Sequence, residues 1–194
     1  MDYPSKELNK WITTVNEYTP APWERLPELD LYMDQVLTFM NKYLEPFSPE
    51  GERIITPSMI NNYVKDGVLP RPVRKKYSQK HLGMLLMICS LKSVLSLPEI
   101  SKLLHGLKTT DKINDIYAEF ALTHSEAVKE ATDRITETAG EDEDALRKLA
   151  LQLALEANAN RIVAARILIS LSEPPHPDKD KEKEKDKEKD KNKK

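Results

Sequence analysis

The sequence predicts an all-α fold with a minimal β wing, in which a small domain is followed by two long helices. A short helical pattern begins at Thr56-Pro57 and ends at Asp66-Gly67. A nearly continuous apolar segment, residues 82–94, comes next, and two long amphipathic segments span about residues 110–138 and 141–172. Apolar residues recur at spacings of three and four throughout, which is the period of helices rather than strands.

The stretch 56–82 organises the small domain. Thr56 is a good N-cap, and Pro57 stands at the first helical position, where its missing N–H costs nothing. Gly67 suits the positive φ at which helices often end. Four cations follow within six residues, at Arg71, Arg74, Lys75 and Lys76. A short helix that exposes asparagines beside a basic hairpin is typical of a winged helix-turn-helix DNA-binding domain.

The charge is unevenly distributed along the chain, although the total is only −2. Residues 51–92 carry eight cations against two acids, which gives +6, whereas residues 1–50 and 93–173 carry −5 each. Phosphate binding needs a locally basic surface rather than a basic protein. A solvated charged loop is the alternative interpretation, and the neighbouring helix-turn pattern favours DNA.

Several short motifs occur in a fixed order in this region: Ile60, Tyr63, Gly67, Leu69-Pro70, Tyr77-Ser78, Leu82, Ile88, Leu91, Leu97, Glu99-Ile100 and Leu103-Leu104. Together they resemble the MerR family of bacterial regulators. The resemblance covers about residues 54–106 and implies a recognition helix, a wing, a third helix and a short fourth helix that opens with a Leu-x-Glu-Ile phrase. Trp23–Pro27 together with Met59–Tyr63 more closely resembles an uncharacterised bacterial family of MerR-like proteins, which implies no established activity.

The chain also departs from the MerR pattern. Where MerR proteins usually carry Arg-Tyr-Tyr-Glu, this sequence has Asn61-Asn62-Tyr63-Val64, and its wing is several residues shorter. A DNA base preference is therefore not carried over. The residues that we expect to contact DNA are Ser58, Asn61, Asn62, Tyr63, Lys65, Arg71, Arg74, Lys75 and Lys76.

We expect four regions along the chain. Residues 1–22 hold an N-terminal amphipathic helix, residues 23–106 the MerR-like winged helix-turn-helix domain, and residues 107–173 a two-helix dimerisation region. The domain's first helix is expected over Asp30–Leu44. Residues 174–194 alternate lysine with acids and are expected to be disordered, because they cannot bury apolar area.

The last long helix has two apolar faces. One face comprises Leu146, Leu149, Leu153, Ala157, Ala164, Ile167 and Leu171. The other comprises Leu151, Leu155, Ile162, Ala165 and Ile169. A helix with two apolar faces needs two partners. The preceding helix can cover one face, and a second subunit is the natural candidate for the other. A purely intramolecular bundle is the alternative.

The sequence contains no recognisable catalytic set, so we do not expect an enzyme. Five glycines in the whole chain disfavour a nucleotide-binding loop, and the four histidines and single cysteine, Cys89, lack metal-ligand spacing, so neither a cofactor nor a metal is predicted. No apolar run approaches the length of a membrane span, and the cytoplasm is the expected location.

Two functions remain as hypotheses. The first is a sequence-specific DNA-binding transcriptional regulator that acts as a homodimer on double-stranded DNA. The second is a MerR-like protein-interaction adaptor without specific DNA binding. The sequence identifies no small-molecule effector.

Overall fold

The computed structural model describes residues 6–17, 20–48, 54–105, 112–138 and 142–171. These residues form an all-α fold, in which two isolated β-bridges are the only extended pairings that the described residues make. Two single 3-10 turns occur at Trp23–Arg25 and Glu45–Phe47. The α-helices are α1 (Lys6–Glu17), α2 (Met33–Leu44), α3 (Pro57–Lys65), α4 (Gln79–Leu91), α5 (Leu97–Leu103), α6 (Ile113–Glu137) and α7 (Glu143–Ser170).

Helix α4 lies at the centre of the core. Every residue from His81 to Cys89 is buried, so this helix is covered on all sides, as its nearly uniform apolar sequence predicts. Val36 and Met40 of α2, Ile60 of α3 and Ile100 of α5 belong to the same buried cluster. The small domain is therefore several short helices packed around one apolar helix.

The core continues past the predicted domain boundary at residue 106. Tyr117 of α6 is fully buried, and its hydroxyl donates a hydrogen bond to the Ala21 carbonyl at 2.9 Å. Its ring packs against the indole of Trp23 with a centroid separation of 5.6 Å. Because these contacts join residues about a hundred positions apart, the first turns of α6 belong to the core of the small domain.

Helix α2 begins at Met33 rather than at the expected Asp30. Leu31 instead pairs with Tyr77 in an antiparallel bridge, through two backbone hydrogen bonds of 2.9 and 2.8 Å. The Gln35 side chain then accepts a hydrogen bond from the Tyr32 N–H at 2.9 Å and caps the helix start. Leu31, the extended residue near the start of α2, therefore pairs with the base of the basic hairpin, residues 71–77.

Helix α1 packs on α6 outside this core. The Thr132 hydroxyl donates to Asn16 Oδ1 at 2.5 Å, and Trp11 Nε1 donates to the Pro46 carbonyl at 3.2 Å. Its inward residues Ile12 and Val15 are buried, as the amphipathic pattern predicts. Helix α1 thus contacts both α6 and the 3-10 turn that follows α2.

Helices α6 and α7 form a long hairpin. The Arg134 guanidinium makes two hydrogen bonds to the Glu156 carboxylate, at 2.6 and 3.1 Å, and so ties the helices together. Asp142 caps α7 by accepting from the Ala145 N–H at 3.0 Å. None of the helices within the described ranges is long and apolar enough to cross a membrane.

Only one face of α7 is covered. Leu149 and Leu168 are buried, whereas Leu151, Leu155 and Ile162 are each more than half exposed. The large side chains of the predicted second apolar face are therefore mostly exposed, although its Ala165 is half-buried. The first predicted face is covered only in part, because its Ile167 and Leu171 are also exposed. The tail predicted to be disordered, residues 174–194, lies outside the described residues.

Candidate nucleic-acid interface

Helix α3 separates a buried face from a polar one. The Thr56 hydroxyl accepts a hydrogen bond from the Met59 N–H at 3.3 Å, which confirms the predicted N-cap, and Ile60 points into the core. The opposite side carries four residues at helical spacing, all of them exposed. They are Ser58, Asn61, Asn62 and Lys65. Short hydroxyl and amide groups that line one helix face can donate and accept hydrogen bonds at base edges.

The end of α3 directs the chain towards the hairpin. Gly67 has φ +69°, the left-handed conformation that the sequence predicts there, and the Leu69 N–H donates to the Tyr63 carbonyl at 2.9 Å. Val68 and Leu69 are both about 1% exposed. These two buried anchors fix where the basic segment leaves the core.

Two cations form the turn of the basic hairpin, residues 71–77. Val73 and Lys76 exchange hydrogen bonds of 3.1 and 2.9 Å, so only Arg74 and Lys75 form the turn. Both have positive φ, +50° and +64°. A two-residue turn of this kind favours asparagine and glycine, and a non-glycine residue in the left-handed region costs on the order of 1–3 kcal/mol. The hairpin therefore holds two cations in a strained backbone and exposes both.

Tertiary contacts hold the base of this hairpin. Beyond the Leu31–Tyr77 bridge, the Lys76 ammonium lies 5.1 Å from the centre of the Tyr32 ring, in a cation–π contact. Such a contact contributes about 0.5–1 kcal/mol at an exposed site. Lys76 is therefore partly engaged with the protein, whereas Arg74 and Lys75 extend from the tip.

Among the residues that the structure describes, no acid forms an ion pair with the hairpin cations. The ion pairs found among the described residues all lie on α6 and α7, and none includes Lys65, Arg71, Arg74 or Lys75. The excess positive charge of this segment is therefore available to an external anion. A cluster of exposed, unneutralised cations is the electrostatic feature that a phosphate backbone requires.

Tyr63 differs from the other eight residues expected to contact DNA. Its side chain is only 4% exposed, and burial raises the pKa of its hydroxyl to about 12, with a smaller contribution from Cys89. A buried tyrosine of this kind packs in the core and does not reach a phosphate. We therefore assign Tyr63 to the core, and the surface set comprises the remaining eight residues.

Burial also makes Cys89 chemically inert. Desolvation raises the pKa of its thiol to about 12, so the reactive thiolate is not populated at neutral pH. Cys89 therefore packs in the core as a small hydrophobic residue. Within the described ranges, no group of three or more histidine, cysteine or acidic residues is placed to hold a metal ion.

His81 is a structural residue that the sequence reading missed. Its Nδ1 accepts hydrogen bonds from the Ser78 N–H at 3.0 Å and from the Ser78 hydroxyl at 2.8 Å, which closes a capping box at the start of α4. Burial lowers its pKa below the usual value. The Ser-x-x-His spacing was visible in the sequence, but capping boxes usually carry glutamate or glutamine at that position.

Comparison with known proteins places this site within one family. A family model described as a domain of unknown function, DUF1836, matches residues 21–121, which is just over half of the 194 residues. The matched segment includes α3, the basic hairpin and all eight surface residues, whereas α1 and α7 lie outside it. No curated protein and no solved structure matches the chain. The chain therefore belongs to the DUF1836 family of domains of unknown function.

Proposed function

We propose that this protein is a DNA-binding transcriptional regulator that acts as a homodimer. In this proposal α3 is the recognition helix of a MerR-like winged helix-turn-helix domain, and the basic hairpin is its wing. The observation that carries the proposal is the hairpin tip, where Arg74 and Lys75 are held in a strained, exposed turn and form no ion pair with an acid in the described ranges. Strained backbone concentrates at functional sites, because folding alone does not favour it.

The two parts of the site would have different roles. Arg71, Arg74 and Lys75 would contact phosphates, which position a protein on DNA without reading its sequence. Asn61 and Asn62 would meet base edges, since an asparagine amide can bond an adenine in two places and discriminate by about 1–3 kcal/mol. Ser58 and Lys65 flank them on the same exposed face of α3.

Salt-dependent DNA binding tests this proposal. The preferred site is first identified by sequencing fragments that the purified protein selects from random duplexes. Affinity for that site and for a scrambled duplex is then measured at several salt concentrations. We expect Asn62→Ala to weaken binding to the selected site alone, and Arg74→Ala to weaken both duplexes and flatten the salt slope by about one unit.

A matched control is available on α1. Lys10 is also an exposed cation, but it lies outside the family segment and far along the chain from the hairpin. Lys10→Ala removes the same charge and should leave the salt slope unchanged. A slope that Arg74→Ala and Lys10→Ala alter equally would mean that net charge, not the hairpin, governs binding.

A protein-interaction adaptor is the second candidate function. The observation that favours it is the outward face of α3, where Asn61 stands at the position that MerR proteins usually fill with arginine and supplies no cation. The acidic segments on either side of the hairpin also disfavour a long DNA contact. An adaptor would bind DNA weakly, with a shallow salt slope that the hairpin substitutions do not change.

A further inference from the structure

A cavity of about 380 Å³ lies between the end of α3 and helix α5. Asp66, which ends α3, lines one side of it. Four residues of α5 and the following turn line the other side at intervals of 3, 1 and 3 residues, so they share one face. They are Pro98, Ser101, Lys102 and His105. Small-molecule sites have volumes of roughly 300–1,000 Å³, so this cavity has room for a small ligand.

Opposite charges line the cavity without pairing with each other. The ion pairs found in the described ranges include neither the Asp66 carboxylate nor the Lys102 ammonium, and both side chains are exposed. Glu99, three residues before Lys102, is engaged elsewhere, since it accepts hydrogen bonds from the Ser96 N–H and hydroxyl at 2.7 and 2.6 Å. An acid and a base in one cavity can therefore both contact a bound molecule.

The inner wall of the cavity is apolar. Val68 is 1% exposed and belongs to the core, and Leu97 is half-buried. None of the residues that line the cavity is aromatic, so no ring is placed to stack on a nucleobase or another flat ligand. This wall fits an aliphatic group.

We propose that this cavity binds a free amino acid with an aliphatic side chain. The ammonium group of the ligand meets Asp66, and its carboxylate meets Lys102 and the hydroxyl of Ser101. The aliphatic side chain lies against Val68 and Leu97. Charge-assisted hydrogen bonds of this kind are stronger than neutral ones.

The two charges of the cavity disfavour simpler ligands. Asp66 repels an anion, and Lys102 repels a cation, so only a molecule that carries both charges is attracted by both groups. The site is separate from the α3 surface and the basic hairpin, because Asn61, Asn62 and Arg74 do not line it. Ligand binding here can therefore be tested independently of DNA binding.

A bound amino acid would also link two elements of the fold. The Asp66 N–H donates to the Asn62 carbonyl at 2.8 Å at the end of α3, whereas Ser101 and Lys102 belong to α5. A ligand that bridges these groups binds only the folded chain. Mass action then raises the thermal midpoint of unfolding as the ligand concentration rises.

Ligand-observed NMR on the full chain tests the proposal with three probes. L-leucine carries both charges, leucinamide lacks the carboxylate, and 4-methylpentanoate lacks the ammonium group. We expect L-leucine to bind at least about ten-fold more tightly than either analogue, because each analogue leaves one charged group of the cavity without a partner. Equal affinities for the three probes, or no binding of L-leucine at millimolar concentrations, would overturn the proposal.

A dipeptide distinguishes a free amino acid from a peptide. Leucyl-glycine carries the same two charges as L-leucine, but they are farther apart. We expect it to bind more weakly than L-leucine. Tighter binding of the dipeptide would overturn the assignment to a free amino acid.

Two substitutions assign the charges. We expect Asp66→Asn to lose the preference for L-leucine over 4-methylpentanoate, and Lys102→Gln to lose the preference for L-leucine over leucinamide. Asp34→Asn and Lys10→Gln are the matched controls, because these exposed residues do not line the cavity. Wild-type preferences in both cavity variants would show that L-leucine binds elsewhere.

Ser101→Leu gives a second readout, because a larger side chain at this half-buried position occupies the cavity. We expect L-leucine to raise the thermal midpoint of the wild-type protein and of both control variants, but not that of Ser101→Leu. The midpoint of each variant without ligand shows that it is folded. An equal rise in Ser101→Leu and in the wild-type protein would place the binding site outside this cavity.

Discussion

Gly83 of α4 lies directly against the indole of Trp23. A β-carbon at residue 83 would stand 2.8 Å from Trp23 Cζ3 and 3.3 Å from Tyr117 Cδ2. Glycine to alanine in a helix ordinarily stabilises by about 1 kcal/mol, but overpacking a fixed core costs about 1–3 kcal/mol. Because Tyr117 is held by its bond to Ala21, we expect Gly83→Ala to lower the thermal midpoint of unfolding.

A double-mutant cycle isolates this contact. In a Trp23→Leu background the indole is gone, so the added methyl group should be neutral or stabilising relative to that background. If Gly83→Ala raises the thermal midpoint of the otherwise native protein, the indole must move aside freely. The close approach would then not constrain the sequence at residue 83.

Two substitutions of Lys75 separate charge from backbone strain. Lys75→Ala and Lys75→Gly remove the same cation, but only glycine adopts φ +64° without a penalty. We expect the glycine variant to be more stable than the alanine variant by about 1 kcal/mol, and both to lose DNA affinity to the same extent. Denaturant unfolding and salt-dependent binding are measured on both variants. Equal stabilities would show that the turn relaxes at no cost.

Leu153 and Leu155 test the two faces of α7. Leu155 is 60% exposed on the predicted second apolar face of α7, whereas Leu153 is half-buried on the other face. We expect Leu155→Asp to give a folded monomer with an unchanged circular dichroism spectrum, and Leu153→Asp to destabilise the fold itself. Sedimentation and thermal unfolding distinguish these results. A dimer that survives Leu155→Asp would place the interface elsewhere.

His81 should make stability depend on pH. Burial lowers its pKa in the folded state, so the fold favours the neutral ring, whose Nδ1 accepts from the Ser78 N–H. Asp30, which raises this pKa, and Lys80, which lowers it, are the nearby charges. Stability is therefore complete above the unfolded value of about 6.5 and is lost as the pH falls below it.

We expect a lower thermal midpoint at about pH 5.5 than at about pH 8, and a smaller difference in His81→Gln, because glutamine can close the capping box without titrating. His124 also has a pKa lowered by burial and contributes in the same direction. The His124→Gln variant therefore accompanies the measurement. If the difference in thermal midpoint between the two pH values is unchanged in the variant that carries both His81→Gln and His124→Gln, the pH dependence comes from carboxylates.

The local features of the fold were predictable from sequence. The Thr56 cap and the positive φ of Gly67 are confirmed, because a few adjacent residues determine each of them. The buried centre at α4 is confirmed for a similar reason, since a helix that is apolar all round has to be enclosed. At the candidate site, the exposure of Asn61 and Asn62 follows from their spacing relative to Ile60.

The features that depend on distant residues were not predictable. The start of α2 moved because Leu31 pairs with Tyr77, and the core extends past residue 106 because Tyr117 reaches Ala21. The left-handed conformations of Arg74 and Lys75 run against local preference, so residue type alone would not place a two-residue turn there. The contacts of Tyr77 with Leu31 and of Lys76 with Tyr32, at the base of the hairpin, likewise join residues distant in sequence.

The hydrogen bond between Tyr117 and Ala21 has a consequence for how the molecule opens. It closes a loop of 96 residues whose ends nearly coincide with the two ends of the family segment. Local unfolding at either end of this loop therefore breaks the hydrogen bond between Tyr117 and Ala21 and exposes the indole of Trp23. The stabilities of the two ends are coupled for this reason. The segment from Ala21 to Tyr117 should exchange its amide hydrogens as one cooperative unit, while α1 and the distal turns of α7 exchange independently and faster.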